Sequence, residues 1–426
     1  MFELTIPETR EGNKTPEQLF AERTKRMQDA LALKKPDRIP IQLGFGYMLA
    51  EMGGITRQEL HENGEKEMEL LEKAALYFEP DSAMGLFNNP GAALAVGDRM
   101  TKFPGHGLPP NGSFQFVEGE YMKPEDYDAF LDDPADWAIR KYWPRVFSKL
   151  EGLSLLPPLG IAAFGTYALF QLGIFKAPPV AAALRALGDA VEAQAAADAR
   201  GQETFQRLAK LGFALPLFVG SIVEAPFDFM SDTLRGMRGI MLDIHRRPEK
   251  LLAAMEKCLA FQLEFAINFR KATGLKMCFI PLHRGSDGFM SLEQFERFYW
   301  PTLKTMQEVL VENDITPFVF YEGVWDQRLK YLAELPRGKV SGLFQFSDIF
   351  KVKEVLGDVM CIAGGMRNSM LQAGTAEEVR EWTRKVCEVV GRDGGFVMTT
   401  GIGEMEGCRP DLVKVWVDAT KEYGVY

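Results

Sequence analysis

From about residue 213 onward, short apolar runs alternate with longer stretches in which apolar residues recur every three or four positions. Runs of the first kind ("FALPLFVG", "KMCFIPLH", "TPFVFYEG", "VSGLFQF", "DVMCIAGG", "GGFVMTTG") predict buried strands. Stretches such as "SLEQFERFYWPTLKTMQEVLVEND" and "TAEEVREWTRKVCEVVGRDG" predict amphipathic helices. Ser291 and Thr375 stand where N-caps belong, and Gly394 with Gly395 closes one helix and opens the next strand. Upstream, "DRIPIQLGF" and "EPDSAMGLFNN" add two strands around the helical "TRQELHENGEKEMELLEKAALYF". Eight strands alternating with helices predict an α/β fold. A (β/α)8 TIM barrel is favoured over an open doubly wound sheet, because no glycine-rich phosphate fingerprint follows the first strand.

The segment from about 120 to 212 is rich in helical signals and reads as a helical insertion, which leaves residues 1–426 as a single barrel domain with an N-terminal extension. Prolines and glycines break the most apolar region, "LEGLSLLPPLGIAAFGTYALFQLGIFKAPPVAAALRALGDA", before the run of about 18 apolar residues that a membrane span needs. No membrane association is expected, and "MFELTIPETREGNKTPEQLF" lacks the order of an export signal. The net charge of −10 argues against a nucleic-acid partner. Five scattered cysteines with no CxxC suit a reducing compartment, so a cytoplasmic location is expected. A homodimer is compatible with the sequence.

In a barrel of this kind, chemistry gathers at the C-terminal ends of the strands. There the sequence places Glu224, His283 with Arg284 and Asp287, Glu322, Asp348, Arg367, and Glu404, Glu406 and Cys408. Glu322 stands out because it ends the apolar run "TPFVFY", and a carboxylate leaving a buried strand needs a partner, a proton or a metal. His283, Glu322 and Cys408 together have the donor types of a three-ligand zinc site with a fourth position open. Each also has a structural alternative: a salt bridge of Glu322 to Arg284 or Arg367, a hydrogen-bonded His283, a buried Cys408 thiol. The loop "TKFPGHGLPPNGSFQFVEGEYM" adds His106 and Phe116 as residues that can face a pocket.

Several segments taken in order, "KKPDRIPIQLG", "FIPLHRGSDGFMSLEQFERFYWPTLKTMQEVL", "TPFVFYEG", "GDVMCIAGGM" and "GRDGGFVMTTGIG...RPDLVKVWVDATKEYG", resemble the uroporphyrinogen decarboxylase superfamily over most of residues 20–426. True decarboxylases of that superfamily carry an arginine-rich "RQAGRY"-type stretch after the first strand. Here "QLGFGYMLAEMGG" stands in its place with no arginine to pair the substrate's carboxylates, so the resemblance points instead to the cobalamin-dependent methyltransferase branch. Against that branch's His-x-Cys zinc motif, Phe320 occupies the His position, Glu322 the first Cys position, and Ile402 the later Cys position.

The resemblance therefore implies a changed zinc set of Glu322 with His283 and either Cys408 or Glu404, with a harder, oxygen-containing shell suited to an ether oxygen. It also implies methyl transfer from a small donor, such as a methoxylated aromatic, to the cobalamin of a partner corrinoid protein. His283, Tyr321 and Arg284 are expected in catalysis. Phe45, Tyr47, His106, Phe116, Glu224, Trp325 and Arg367 are expected around the substrate. A metal-free decarboxylase or lyase acting on a small acid is the alternative.

Overall fold

A computed structural model describes residues 11–86, 88–158, 160, 165–401 and 404–426. The chain forms two compact units: one built from Met1–Phe87, Glu203–Asp228 and Leu259–Tyr426, the other from Asn88–Gln202 and Phe229–Cys258.

The first unit holds the strands β1 (Gln42–Gly44), β2 (Ser82–Met84), β3 (Gly220–Ile222), β4 (Met277–Leu282), β5 (Thr316–Tyr321), β6 (Ser341–Phe344), β7 (Cys361–Met366) and β8 (Phe396–Thr400). Strands β3 to β8 form one parallel sheet in chain order, and β1 pairs with β2 in parallel. Parallel bridges from Ile41 to Met398 and from Ser82 to Ala214 bring this pair beside β8 and beside the segment leading into β3. The result is an α/β fold of the TIM-barrel type.

The run "FALPLFVG" is not one strand, because Pro216 has no N–H to give a ladder. Its carbonyl instead accepts from Val219 in a turn, and the neighbouring Leu217 N–H donates to the Gln42 side chain.

Alternation along the strands sorts their side chains. Phe279, Phe318, Leu343, Cys361, Ala363 and Val397 meet in one buried cluster, joined by Met27 and Ala30 from helix Pro16–Leu31. Burying such side chains supplies about 1.5–3 kcal/mol each. Residues one step out of phase, such as Val319 and Tyr321, lie on the opposite face of the sheet.

Near the start of β2 a fully buried Asp81 accepts from Arg38, from Arg26 and from the Ile41 N–H, while Arg26 also grips Asp37 at 2.6 and 2.7 Å. Helices start as their sequences predict: Ser291 and Thr375 each form a capping box, with Gln294 and Glu378. Gly394 and Gly395 have positive φ in the turn between helix Ala376–Val389, which ends before them, and β8.

The second unit has its own core of Val96, Leu150, Leu153, Val180 and Ala183. It carries a small ribbon of Thr101–Pro104, Gly107–Leu108 and Gln115–Phe116. Within it Asp243 accepts from the Tyr127 hydroxyl at 2.8 Å and from Arg235 at 2.6 Å, so three buried polar side chains satisfy one another. Among the described residues no helix is long and apolar enough to cross a membrane.

Candidate functional site at the strand ends

Strands β4 and β5 run in register to Pro281 beside Phe320 and Leu282 beside Tyr321. One further step sets His283 beside Glu322, and both share the face of Phe279 and Phe318 because the side-chain period of a strand is two. His283 Nε2 lies 3.7 Å from Glu322 Oε2. The imidazole is 29% exposed and the carboxylate 45%, so the pair sits at a solvent-reachable edge rather than in the core. At that separation it is an ion pair when the histidine is protonated, and it is longer than a hydrogen bond.

The backbone around Glu322 is tied at several points. Its N–H donates to the Phe320 carbonyl at 3.2 Å, and its own carbonyl accepts from Trp325 Nε1 at 2.8 Å. Gly323 has φ +80°, and a Cβ there would lie 2.9 Å from Ser286 Cβ, so only glycine fits this turn. The Gly323 N–H donates to Gln345 Oε1 at 2.7 Å. Gln345 is the first residue past β6, whose register aligns Tyr321 with Phe344. It is a site neighbour that the sequence reading missed, and the aligned strand ends are the signal that finds it.

The other expected residues are placed differently. Tyr321 lies on the opposite face from Glu322, fully buried, stacked on Phe344 at 4.7 Å and edge-on to Trp325 at 5.1 Å. Burial pushes its hydroxyl well above the ordinary tyrosine range, which makes it a poor acid near neutral pH. Trp325 is equally buried, against Phe295, Tyr299 and Tyr321. Phe45 packs unexposed on Phe78 of helix Gly64–Phe78. Tyr47 is buried with its hydroxyl 2.9 Å from His61 Nε2 and the Arg57 guanidinium over its ring. These four aromatics pack the protein interior rather than wall an open pocket.

Glu224 follows β3 and is partly buried, its N–H donating to Gln262 Oε1 at 2.8 Å. The Arg284 guanidinium lies over the Phe289 ring, 5.4 Å from its centre. Arg367 is exposed beside Trp382, at the rim of a cleft also lined by Gln345, Ser347 and Asp348. His106 and Phe116 belong to the ribbon of the second unit, where Phe116 is 77% exposed and packs edge-on against Phe114.

The zinc set expected from His283, Glu322 and Cys408 is not gathered in one place: among the described residues no three His, Cys, Asp or Glu side chains stand together as a metal shell. Cys408 is buried, its thiol directed to the Asn368 carbonyl at 3.9 Å and pushed up to about 12, by burial first and then by Glu51. Two protein donors, His283 and Glu322, are fewer than the three a catalytic zinc site takes. Ile402 lies outside the described residues.

Residues 178–423 match the family model for uroporphyrinogen decarboxylase (URO-D). That span is more than half of the chain, and the chain belongs to this family. Among solved structures, the chain is similar to a methyltransferase from Methanosarcina mazei, with a TM-score of 0.57, 15% sequence identity, and coverage of 94% of this chain and 98% of that one. At that identity the likeness speaks for the fold. No curated protein matches the chain.

Proposed function

We propose that this member of the URO-D family is a methyltransferase that moves a methyl group from a small donor, such as a methoxylated aromatic, to the cob(I)alamin of a partner corrinoid protein. The observation that carries the reading is the imidazole–carboxylate pair of His283 and Glu322, 3.7 Å apart at adjacent strand ends. Glu322 stands where the resemblance puts the first cysteine of the thiol-activating site, so an oxygen donor replaces a sulfur there. The fold shared over nearly the whole chain with a protein named as a methyltransferase is compatible with this reading.

In this reading the corrinoid, when bound, would supply the nucleophile for the methyl carbon; the donor's C–O bond breaks and its oxygen leaves with the electron pair. His283, facing the Glu322 carboxylate, gives that oxygen its proton, so an alcohol or phenol departs instead of an oxyanion. No step is routed through zinc, because the described residues supply two protein donors and not three.

Incubation of the purified protein with cob(I)alamin and a panel of methoxylated aromatics tests the proposal. Conversion of the cob(I)alamin absorption spectrum to that of methylcobalamin, dependent on His283, is the expected result. The imidazole–carboxylate pair can also serve a metal-free decarboxylase or lyase, and release of carbon dioxide from a small acid with no methylcobalamin formed would favour that second reading.

A further inference from the structure

We propose that Asp228 is the positioning residue of this site, fixing His283 by holding the peptide on each side of its Cα; this rests on the reading of His283 as proton donor. Asp228 is fully buried. One carboxylate oxygen accepts from the His283 N–H at 2.9 Å, the other from the Arg284 N–H at 3.0 Å, and the Tyr299 hydroxyl donates to the first.

The place of these bonds gives them meaning. The β4–β5 ladder ends at Leu282 and Tyr321, so the next two N–H groups of the chain have left the paired part of the sheet. Asp228, at the end of helix Pro226–Asp228, takes both of them, one on each oxygen. Two successive amides held by one rigid carboxylate fix the peptide plane before and after His283, and with them the direction of its side chain. A buried carboxylate is costly unless its oxygens are satisfied, and charge-assisted bonds to N–H groups are strong, so the arrangement resists loosening.

The aromatic block behind it closes the remaining freedom. Tyr299 is itself buried against Phe227, Phe295 and Trp325. Directly after Arg284, a Cβ on Gly285 would lie 2.4 Å from Trp325 and 2.5 Å from Tyr299. The His283 loop is thus seated on a fixed wall while the imidazole reaches the exposed side.

The test compares Asp228→Asn and Tyr299→Phe with the parent protein labelled with 15N-histidine. The chain has four histidines, so the His283 ring signal is assigned by its loss in His283→Gln. The expected result in Asp228→Asn is a shifted and broadened His283 signal with the other three unchanged. Methyl transfer falls about 10- to 100-fold in kcat with KM within about threefold, the pattern of a misplaced acid. Tyr299→Phe, which deletes one hydroxyl, gives a smaller change of the same kind and carries the test if Asp228→Asn does not fold.

An unmoved His283 signal with unchanged kcat, in Asp228→Asn or, should that variant not fold, in Tyr299→Phe, would overturn the assignment. If the parent protein transfers no methyl group, the functional reading fails, but the ring signal still decides whether Asp228 positions His283.

Discussion

His283 Nε2 and Glu322 Oε2 face each other across 3.7 Å, one residue beyond the last paired positions of two neighbouring strands. The carboxylate's charge pairs with the imidazole whenever the ring carries its second proton. Glu322→Gln removes that charge at nearly constant shape. Methyl transfer is expected to fall, by less than the roughly 10²- to 10⁴-fold that loss of the proton donor His283 itself would cost. Because Glu322 is nearly half exposed, the urea midpoint should correspond to a change within about 0.5 kcal/mol. A Glu322→Gln protein that is as active as its parent would remove the pair from the mechanism.

Tyr321 gives the complementary prediction. Its hydroxyl is buried and has no hydrogen-bond partner among the described residues. A buried hydroxyl left unpaired costs about 1–3 kcal/mol, so Tyr321→Phe is expected to leave activity intact and to match or exceed the parent in stability. Thermal unfolding and the methyl-transfer assay together check this. A large loss of activity with normal stability would return the phenol to the list of acids.

These two residues also show how far the sequence could be read. The strand ending on a carboxylate is visible in "TPFVFYEG", and the eight-strand barrel follows from the order of apolar runs. Extending the period-two pattern by one residue would have separated Glu322, in phase with Phe318 and Phe320, from Tyr321, in phase with Val319. Phe45, Tyr47 and Trp325 were drawn to the site by their aromatic character near strand ends, whereas their burial shows that they pack the interior. Asp228 was not foreseeable: its role depends on a carboxylate reaching amides 55 and 56 residues away, which no local spacing encodes. The same holds for Cys408, whose thiol meets a carbonyl 40 residues away rather than a metal shell.

At the other end of the strands the charges have a structural task. Asp81 is fully buried and pairs with Arg26 and Arg38, which are 3% and 8% exposed. Removing its charge leaves each buried guanidinium with one carboxylate fewer, Arg26 with Asp37 and Arg38 with Glu11. Asp81→Asn is therefore expected to cost about 1–3 kcal/mol of stability. Urea unfolding at neutral pH measures it, and a loss below about 1 kcal/mol would mean that water reaches the arginines and replaces the carboxylate.

Glu11 predicts how that stability depends on pH. Burial on its own would raise its carboxyl, but Arg23, Lys421 and Arg38 outweigh burial and hold it at about 2, below the ordinary 4.5. The folded protein thus keeps Glu11 ionised at pH values where the unfolded chain has bound a proton. More protons on the unfolded state mean that stability rises with pH across this window. The contribution is complete above about pH 4.5 and is lost as the pH falls toward 2, up to about 3 kcal/mol for a shift of this size. Glu11→Gln cannot titrate, so its urea midpoint should start lower at pH 6 and fall less steeply between pH 4.5 and 3 than that of the parent. Parallel slopes for the two proteins in that range would show that Glu11 has an ordinary carboxyl in the folded state and that its three cationic neighbours do not hold it.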